Sequence, residues 1–93
     1  MKHSILLHEL EDDVGVAVID LKAGTEAKAV TLHGQDCGNI KVSEDIPLGH
    51  KIAMHDIRKG ESIIKYGRPI GKATQDISGG ARVHVHNIKS MRW

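Results

Sequence analysis

A five-residue pattern constrains this sequence more than any other feature: Asp, then Ile or Leu, two variable residues, and Gly. It occurs at residues 20–24, 45–49, 56–60 and 76–80, although random placement of the same residues would give fewer than one copy. A tight turn explains the pattern, because Asp can cap backbone N–H groups, the aliphatic side chain can enter the core, and Gly can adopt a left-handed conformation. The copies are irregularly spaced, so they do not predict a solenoid.

The segments between these turns are short and rich in β-branched residues, with 18 Val and Ile against 6 Leu. Such residues favour strands, and no stretch keeps a helical period for three turns. We expect an all-β fold in a single domain, residues 1–93, with a hairpin loop at 34–38. Predicted strands cover residues 4–7, 14–19, 28–32, 39–42, 51–53, 62–66, 72–74 and 82–86.

Charge and hydropathy exclude several classes of protein. The 13 basic and 12 acidic residues are scattered, so nothing indicates nucleic-acid binding. The single Cys37 cannot form an intramolecular disulfide. The first residues lack the apolar stretch of a signal peptide, and no apolar run is long enough to cross a membrane. We therefore expect a cytoplasmic protein that does not contact membranes.

The most informative candidate site is the segment His84-Val85-His86-Asn87. On a strand, His84 and His86 would share one face and Val83 and Val85 the other. Two imidazoles so placed could share a metal ion or bind an anion. The alternative is an exposed strand face that carries two histidines by chance, and spacing alone does not exclude it.

Two further segments combine glycine with cationic side chains. In Gly49-His50-Lys51, His50 could transfer a proton near neutral pH and Lys51 could neutralise a carboxylate. Between Lys65 and Gly71, Arg68 could offer a two-pronged contact to a carboxylate. Each segment could equally be an ordinary turn with solvated charges.

These segments occur together, and in order, in a known family. Residues 45–53, 64–71 and 83–87 resemble the N-terminal SAF-type domain of altronate and galactarate dehydratases, which has a β-clip fold. The chain is also similar to the free-standing small subunits of related lyases, which include sulfolactate sulfo-lyase. The resemblance covers nearly the whole chain.

The resemblance implies metal-assisted β-elimination from a sugar acid. It implies catalytic roles for His50, His84 and His86, and a divalent metal, Fe²⁺ or else Mn²⁺, held partly by His84 and His86. Substrate binding is expected from three residues: Lys51, Arg68 and Asn87.

It also implies a large partner subunit or C-terminal domain that completes the site, so the isolated chain should be inactive. Loss of sulfite instead of water, as in a sulfolactate lyase, is the alternative reaction. A non-catalytic module that binds sugar acids or another protein is the alternative from a different class.

Overall fold

The computed structural model describes residues 4–84 and 86–90 of the 93-residue chain, which form nine strands and no helix. The prediction of an all-β fold is confirmed. No helix in the described part of the chain is long and apolar enough to span a membrane. The strands are β1 Ile5–Leu7, β2 Val14–Ala17, β3 Glu26–Thr31, β4 Asp36–Lys41, β5 Lys51–Ala53, β6 Ser62–Lys65, β7 Arg68–Ala73, β8 Arg82–Val83 and β9 Ile88–Ser90.

The strands form two sheets. The larger has six strands in the order β4-β3-β1-β2-β5-β8, and the smaller has three in the order β6-β7-β9. All pairings are antiparallel except that of β1 with β3. Strand β5 lies between β2 and β8 and pairs with both.

The four Asp-to-Gly turns associate in two pairs, and each aspartate caps its partner. Asp20 accepts the backbone N–H of Leu48 at 2.8 Å, and Asp45 accepts that of Ala23 at 3.0 Å. In the second pair, Asp76 accepts the N–H of Lys59 at 2.9 Å and Asp56 that of Gly79 at 2.8 Å. The capping role predicted for the aspartates is confirmed, but it acts across a pair of turns. The central aliphatic residues also pair, Leu21 with Ile46 and Ile57 with Ile77.

The two pairs of turns belong to two halves of the chain with the same backbone hydrogen-bond pattern. Each half has two segments, and a residue of the first segment has its counterpart 36 residues later, as Gly24 has in Gly60. The bond from Gly24 N–H to Val42 O therefore matches that from Gly60 N–H to Ala73 O. Adding 31 relates the second segments, from Val42 to Ala73 and from Gly49 to Gly80. The different offsets conceal the repeat in the sequence, because the β3–β4 hairpin is longer than the β6–β7 hairpin.

The hydrophobic core divides in the same way. One cluster of buried side chains contains Leu21 and Ile46, and the other contains Ile57 and Ile77. Six positions correspond between the clusters: Ala17 to Ala53, Leu21 to Ile57, Ala27 to Ile63, Val42 to Ala73, Ile46 to Ile77 and Ile52 to Val83. The aliphatic residue of every turn pattern is therefore a core residue, as predicted.

Glycine is required in the turns because it closes all four at positive φ, between 88° and 91°, as predicted. The constraint is strongest at Gly80, where an added Cβ would collide with the backbone carbonyl of Lys41. At Gly24 an added Cβ would meet nothing within 4 Å, so only the backbone conformation opposes a larger residue there.

Several predicted strand boundaries are wrong. Strand β4 begins at Asp36, inside the predicted loop at 34–38, through an irregular pairing with β3. Strand β7 begins at Arg68, because Tyr66 and Gly67 both adopt positive φ and close a two-residue hairpin. Strand β8 ends at Val83, and β9 was not predicted.

Candidate functional site

The register of strands β5 and β8 brings two of the predicted catalytic histidines together. Lys51 pairs with Val83 and Ile52 with Arg82, so the next position places His50 opposite His84. Their rings stack with centroids 5.4 Å apart and planes inclined by 26°. His50 is half-buried and His84 is exposed. This pair is the centre of the candidate site, and its members lie 34 residues apart in the sequence.

The segment after β8 is a turn instead of a continued strand, which corrects the predicted strand at 82–86. The side chain of Asn87 accepts the N–H of His84 at 2.9 Å and donates to the carbonyl of Arg82 at 2.7 Å. The backbone of Asn87 also donates to the carbonyl of His84 at 3.0 Å. His84 and His86 therefore project from a turn and do not share a strand face. Both are exposed, and Val83 is buried, as predicted; Val85 lies outside the described residues.

Asn87 is itself buried, with 3% of its surface exposed. Its amide is engaged with the backbone on both sides of the turn. These hydrogen bonds indicate that Asn87 stabilises the turn that carries His84 and His86. Its predicted substrate binding finds no support in these contacts and stays a prediction.

Cationic groups surround the histidine pair. Loss of solvent around the His84 ring lowers its pKa, and the nearby charges of Arg82, His50, His86 and Lys51 lower it further. His84 is consequently neutral at physiological pH and has a lone pair free to accept a proton. Arg82 was not among the predicted site residues, and the signal that could have found it is its position two residues before His84.

Two polar atoms at this place are buried without a hydrogen-bond partner among the described residues: Nδ1 of His50 and Nε of Arg82. Buried polar groups in proteins are normally satisfied, so a water molecule or a ligand could bond to these two atoms. The three ion pairs of the described residues lie elsewhere, between Lys22 and Asp45, Lys28 and Asp36, and His55 and Asp13.

Arg68 is not brought to this cluster. It begins β7, whereas the turn carrying the histidines adjoins the other end of that strand, where Ala73 pairs with Ile88. Five residues of strand separate Arg68 from Ala73, which is about 16 Å at ~3.3 Å per residue. Arg68 is exposed, so its predicted substrate binding stays a prediction that the histidine cluster does not share.

The neighbours of Arg68 form a separate packed corner. The ring of Tyr66 lies 3.4 Å from that of His8, centroid to centroid, and the Lys65 ammonium lies 4.0 Å from the Tyr66 centroid. Burial lowers the pKa of Lys65, while the charge of Asp12 raises it. Asp12 is buried and accepts the N–H of Gly67 at 3.3 Å. These contacts anchor the hairpin, while the Tyr66 side chain stays exposed.

Two surface depressions lie between the paired turns, one in each half of the molecule. Aspartates border both, but each of these aspartates already accepts a backbone N–H of its partner turn. None of the six predicted site residues lines either depression. We therefore attribute these two depressions to the pairing of the turns.

The residues around the histidine pair fit a metal ion only in part. Imidazole nitrogen suits Fe²⁺ and Mn²⁺, but a stable site needs more ligands than a histidine pair supplies. Within residues 4–84 and 86–90, no three His, Cys, Asp or Glu side chains are grouped closely enough to hold a metal. Any further ligands would have to come from outside these described residues.

One known family of domains matches this sequence. A family model described as the altronate/galactarate dehydratase SAF domain matches residues 2–91, nearly the entire chain. The chain belongs to this family. The prediction made from the three sequence segments is thereby confirmed, and all three segments lie within the match.

Individual relatives of this SAF domain divide into two kinds. The chain is 36% identical to the (2R)-sulfolactate sulfo-lyase subunit alpha of Chromohalobacter salexigens, over 100% of both proteins. It is 43% identical to altronate dehydratase from Bacillus subtilis over 97% of this chain, and 43% identical to that from Escherichia coli over 92%. The match spans only 17% and 16% of those two dehydratases, so most of each lies beyond it.

Proposed function

We propose that this chain is the small subunit, or N-terminal domain, of a cytoplasmic sugar-acid dehydratase and contributes histidines to a β-elimination site. The observation that carries the proposal is the stacked pair of His50 and His84, held at the exposed end of β5 and β8 among cationic groups. Membership of the dehydratase SAF family supports the same reaction class.

The chemistry needs a base, an acid for the leaving group and positive charge near the substrate carboxylate. A base removes the proton beside the carboxylate, electrons move to expel the β-hydroxyl as water, and the resulting enol rearranges to a keto acid. His84, with its lowered pKa, is suited to accept that proton. We assign proton transfer to His50, His84 and His86 together, and a share of carboxylate binding to Lys51.

A divalent metal, Fe²⁺ or Mn²⁺, is part of the proposal. When bound, it would supply positive charge that stabilises the enolate as it forms. His84 and His86 would be this chain's ligands, and the larger partner would provide the remainder. When His84 binds the metal, its lone pair is used, so His50 would accept the proton instead.

The proposal includes a large partner because this domain does not enclose a substrate by itself. His84 and His86 are exposed to solvent, whereas elimination requires a site that excludes bulk water. The dehydratase relatives are several times longer than the matched segment. We propose that the region corresponding to the remainder of those proteins covers the histidine pair.

A second candidate function is that of a small subunit in sulfolactate cleavage, with sulfite as the leaving group. The observation that favours it is the match with the sulfo-lyase subunit alpha along the full length of both chains. The two candidates use the same histidines and differ in the group that leaves.

Reconstitution tests the proposal and separates the candidates. The chain is combined with a large lyase subunit of the dehydratase type or of the sulfo-lyase type, with Fe²⁺, and assayed on altronate, galactarate and sulfolactate. We expect no turnover by the chain alone and turnover in one complex. His84→Ala and His86→Ala should each lower kcat by about a hundredfold or more, the usual contribution of an acid–base group.

The control is His33→Ala, at an exposed position away from the cluster, which should leave both kcat and the melting temperature unchanged. The two site variants should also melt within about 2 °C of the parent, since exposed side chains contribute little to stability. Undiminished turnover by a complex carrying both site substitutions would contradict the catalytic role. Turnover by the purified chain would contradict the need for a partner.

A further inference from the structure

The neighbourhood of Arg82 contains a functional group that the proposed mechanism has not used. Nε of Arg82 is buried without a hydrogen-bond partner among the described residues, and so is Nδ1 of His50. Residue 82 pairs with Ile52, and residue 50 lies opposite 84, so Arg82 and His50 belong to the same corner of the sheet.

The backbone around Arg82 is fully engaged, which fixes where its side chain starts. Its N–H donates to Oε2 of Glu44 at 3.1 Å, and its carbonyl accepts from Asn87 at 2.7 Å. Although Glu44 approaches the backbone, no carboxylate among the described residues lies within ion-pair distance of the Arg82 guanidinium. The Arg82 guanidinium therefore has no ion-pair partner among the described residues, although the Glu44 carboxylate is bonded to the backbone of the same residue.

We propose that Arg82, together with His50, is the anchor for the substrate carboxylate. The planar guanidinium can offer two parallel N–H groups to a carboxylate, and the free nitrogen of His50 can add a third hydrogen bond. A carboxylate bound there would lie beside His84. The proton to be removed, on the carbon that bears this carboxylate, would then be near the imidazole. This inference rests on the proposed function, since it identifies what that site recognises.

The alternative anchor, Arg68, is less suited for a geometric reason. It lies at the far end of β7 from the histidine turn, as the register of β7 with β9 shows. Arg82 precedes that turn by two residues and contributes its charge directly at His84. One carboxylate cannot contact Arg68 and also lie beside His84 in this chain.

Binding of a small hydroxy acid tests the inference without a partner. D-glycerate is titrated into the full 93-residue chain at constant ionic strength, and the imidazole resonances of His50 and His84 are followed by NMR. We expect both to shift with a dissociation constant of about a millimolar, as for a weak, solvent-exposed site. Glycerol, which lacks the carboxylate, should cause no shift.

Variants assign the effect to Arg82. Arg82→Gln should weaken glycerate binding by about tenfold to a hundredfold, the loss expected for a charge-assisted hydrogen bond. Arg82→Lys keeps the charge but loses the planar fork, so it should weaken binding less, and it serves if the Gln variant does not fold. Arg58→Gln, at an exposed position in another turn, is the matched control and should bind as the parent does. Equal binding by the parent and both Arg82 variants would overturn the inference.

Kinetics separate this inference from the proposed function. In an active complex, Arg82→Lys should raise KM for the acid more than it lowers kcat. An active complex in which Arg82→Lys and Arg82→Gln have parental KM and kcat would refute the anchor and leave the lyase proposal standing. If every complex is inactive while glycerate binding still depends on Arg82, the lyase proposal fails and the carboxylate site remains.

Discussion

At the residue scale, the contacts of the His55 ring favour its protonated, positively charged form. Nε2 lies 2.7 Å from Oδ1 of Asp13, and Nδ1 lies 2.9 Å from the backbone carbonyl of Asp56. Both partners are acceptors, so both bonds form only when the ring carries two protons. No local sequence pattern links His55 to Asp13, which is 42 residues away.

A pH-dependent contribution to stability follows from these contacts. The hydrogen bond to Asp56, with Asp13 and Glu61 nearby, raises the pKa of His55 in the folded state against a smaller opposing effect of burial. A raised pKa means that the stabilisation is complete below the unfolded value of about 6.5 and is lost as pH rises through the folded value. His55→Gln should therefore lower the melting temperature more at about pH 6 than at about pH 9.

The effect should stay below about 1 kcal/mol, because the His55 ring is more than half exposed and solvent screens the pair. Thermal melts across the pH range measure it. The control is His33→Gln, at an exposed histidine whose ring makes no such contact with the described residues. A difference between parent and His55→Gln that grows with pH would reverse the assignment.

Residue types alone identified His50, His84 and His86 as candidates, but not how they meet. The stacking of His50 on His84 depends on the pairing of β5 with β8, a long-range register that short patterns do not encode. The turn at 84–87 was missed for a related reason. Alternating Val and His is typical of a strand, and the side chain of Asn87 overrides it by bonding to the local backbone.

At the scale of elements, the turn pattern predicted four turns and their buried aliphatic residues, but not their association. The sequence indicates that each aspartate caps a turn, and it cannot say which one. In the structure Asp20 and Asp45 cap each other's turns, while Asp56 and Asp76 do the same in the second half. Each turn pair is therefore one unit made of two distant segments.

Reciprocal capping predicts that mutations within a pair are coupled. Asp20→Ala and Asp45→Ala should each cost about 1 kcal/mol, as for the loss of other side-chain caps. Together they should cost less than the sum by about 0.5 kcal/mol or more, because losing one cap already loosens the turn that the other holds. Denaturant unfolding of the single and double variants measures this.

The comparison is Asp20→Ala with Asp56→Ala, which lie in different turn pairs. Those two costs should add within about 0.5 kcal/mol. Coupling of the same size in both double variants would mean that the halves are not separate units of stability.

At the scale of the whole molecule, the domain has a separate core in each half and carries His84 and His86 exposed to solvent. If the proposed large partner covers these side chains, formation of the complex should slow hydrogen–deuterium exchange at the ring carbons of His84 and His86 several-fold. Mass spectrometry of the free and bound chain measures this exchange. His33 should exchange equally in both states, and unchanged rates at all three histidines would show that the partner binds elsewhere.

The offset between the halves has a consequence for where chemistry can arise in such a fold. The same offsets relate Val14 to His50 and Ala53 to His84. They also relate the pairing of β2 with β5 to that of β5 with β8. Val14 and Ala53 are fully buried, because the second half of the chain packs over them. Strand β8 lies at the edge of its sheet, so the equivalent position is open. The histidines thus lie where a further copy of the repeated unit would pack. A partner bound there would cover β8 in the way that the second half of this chain covers Val14 and Ala53.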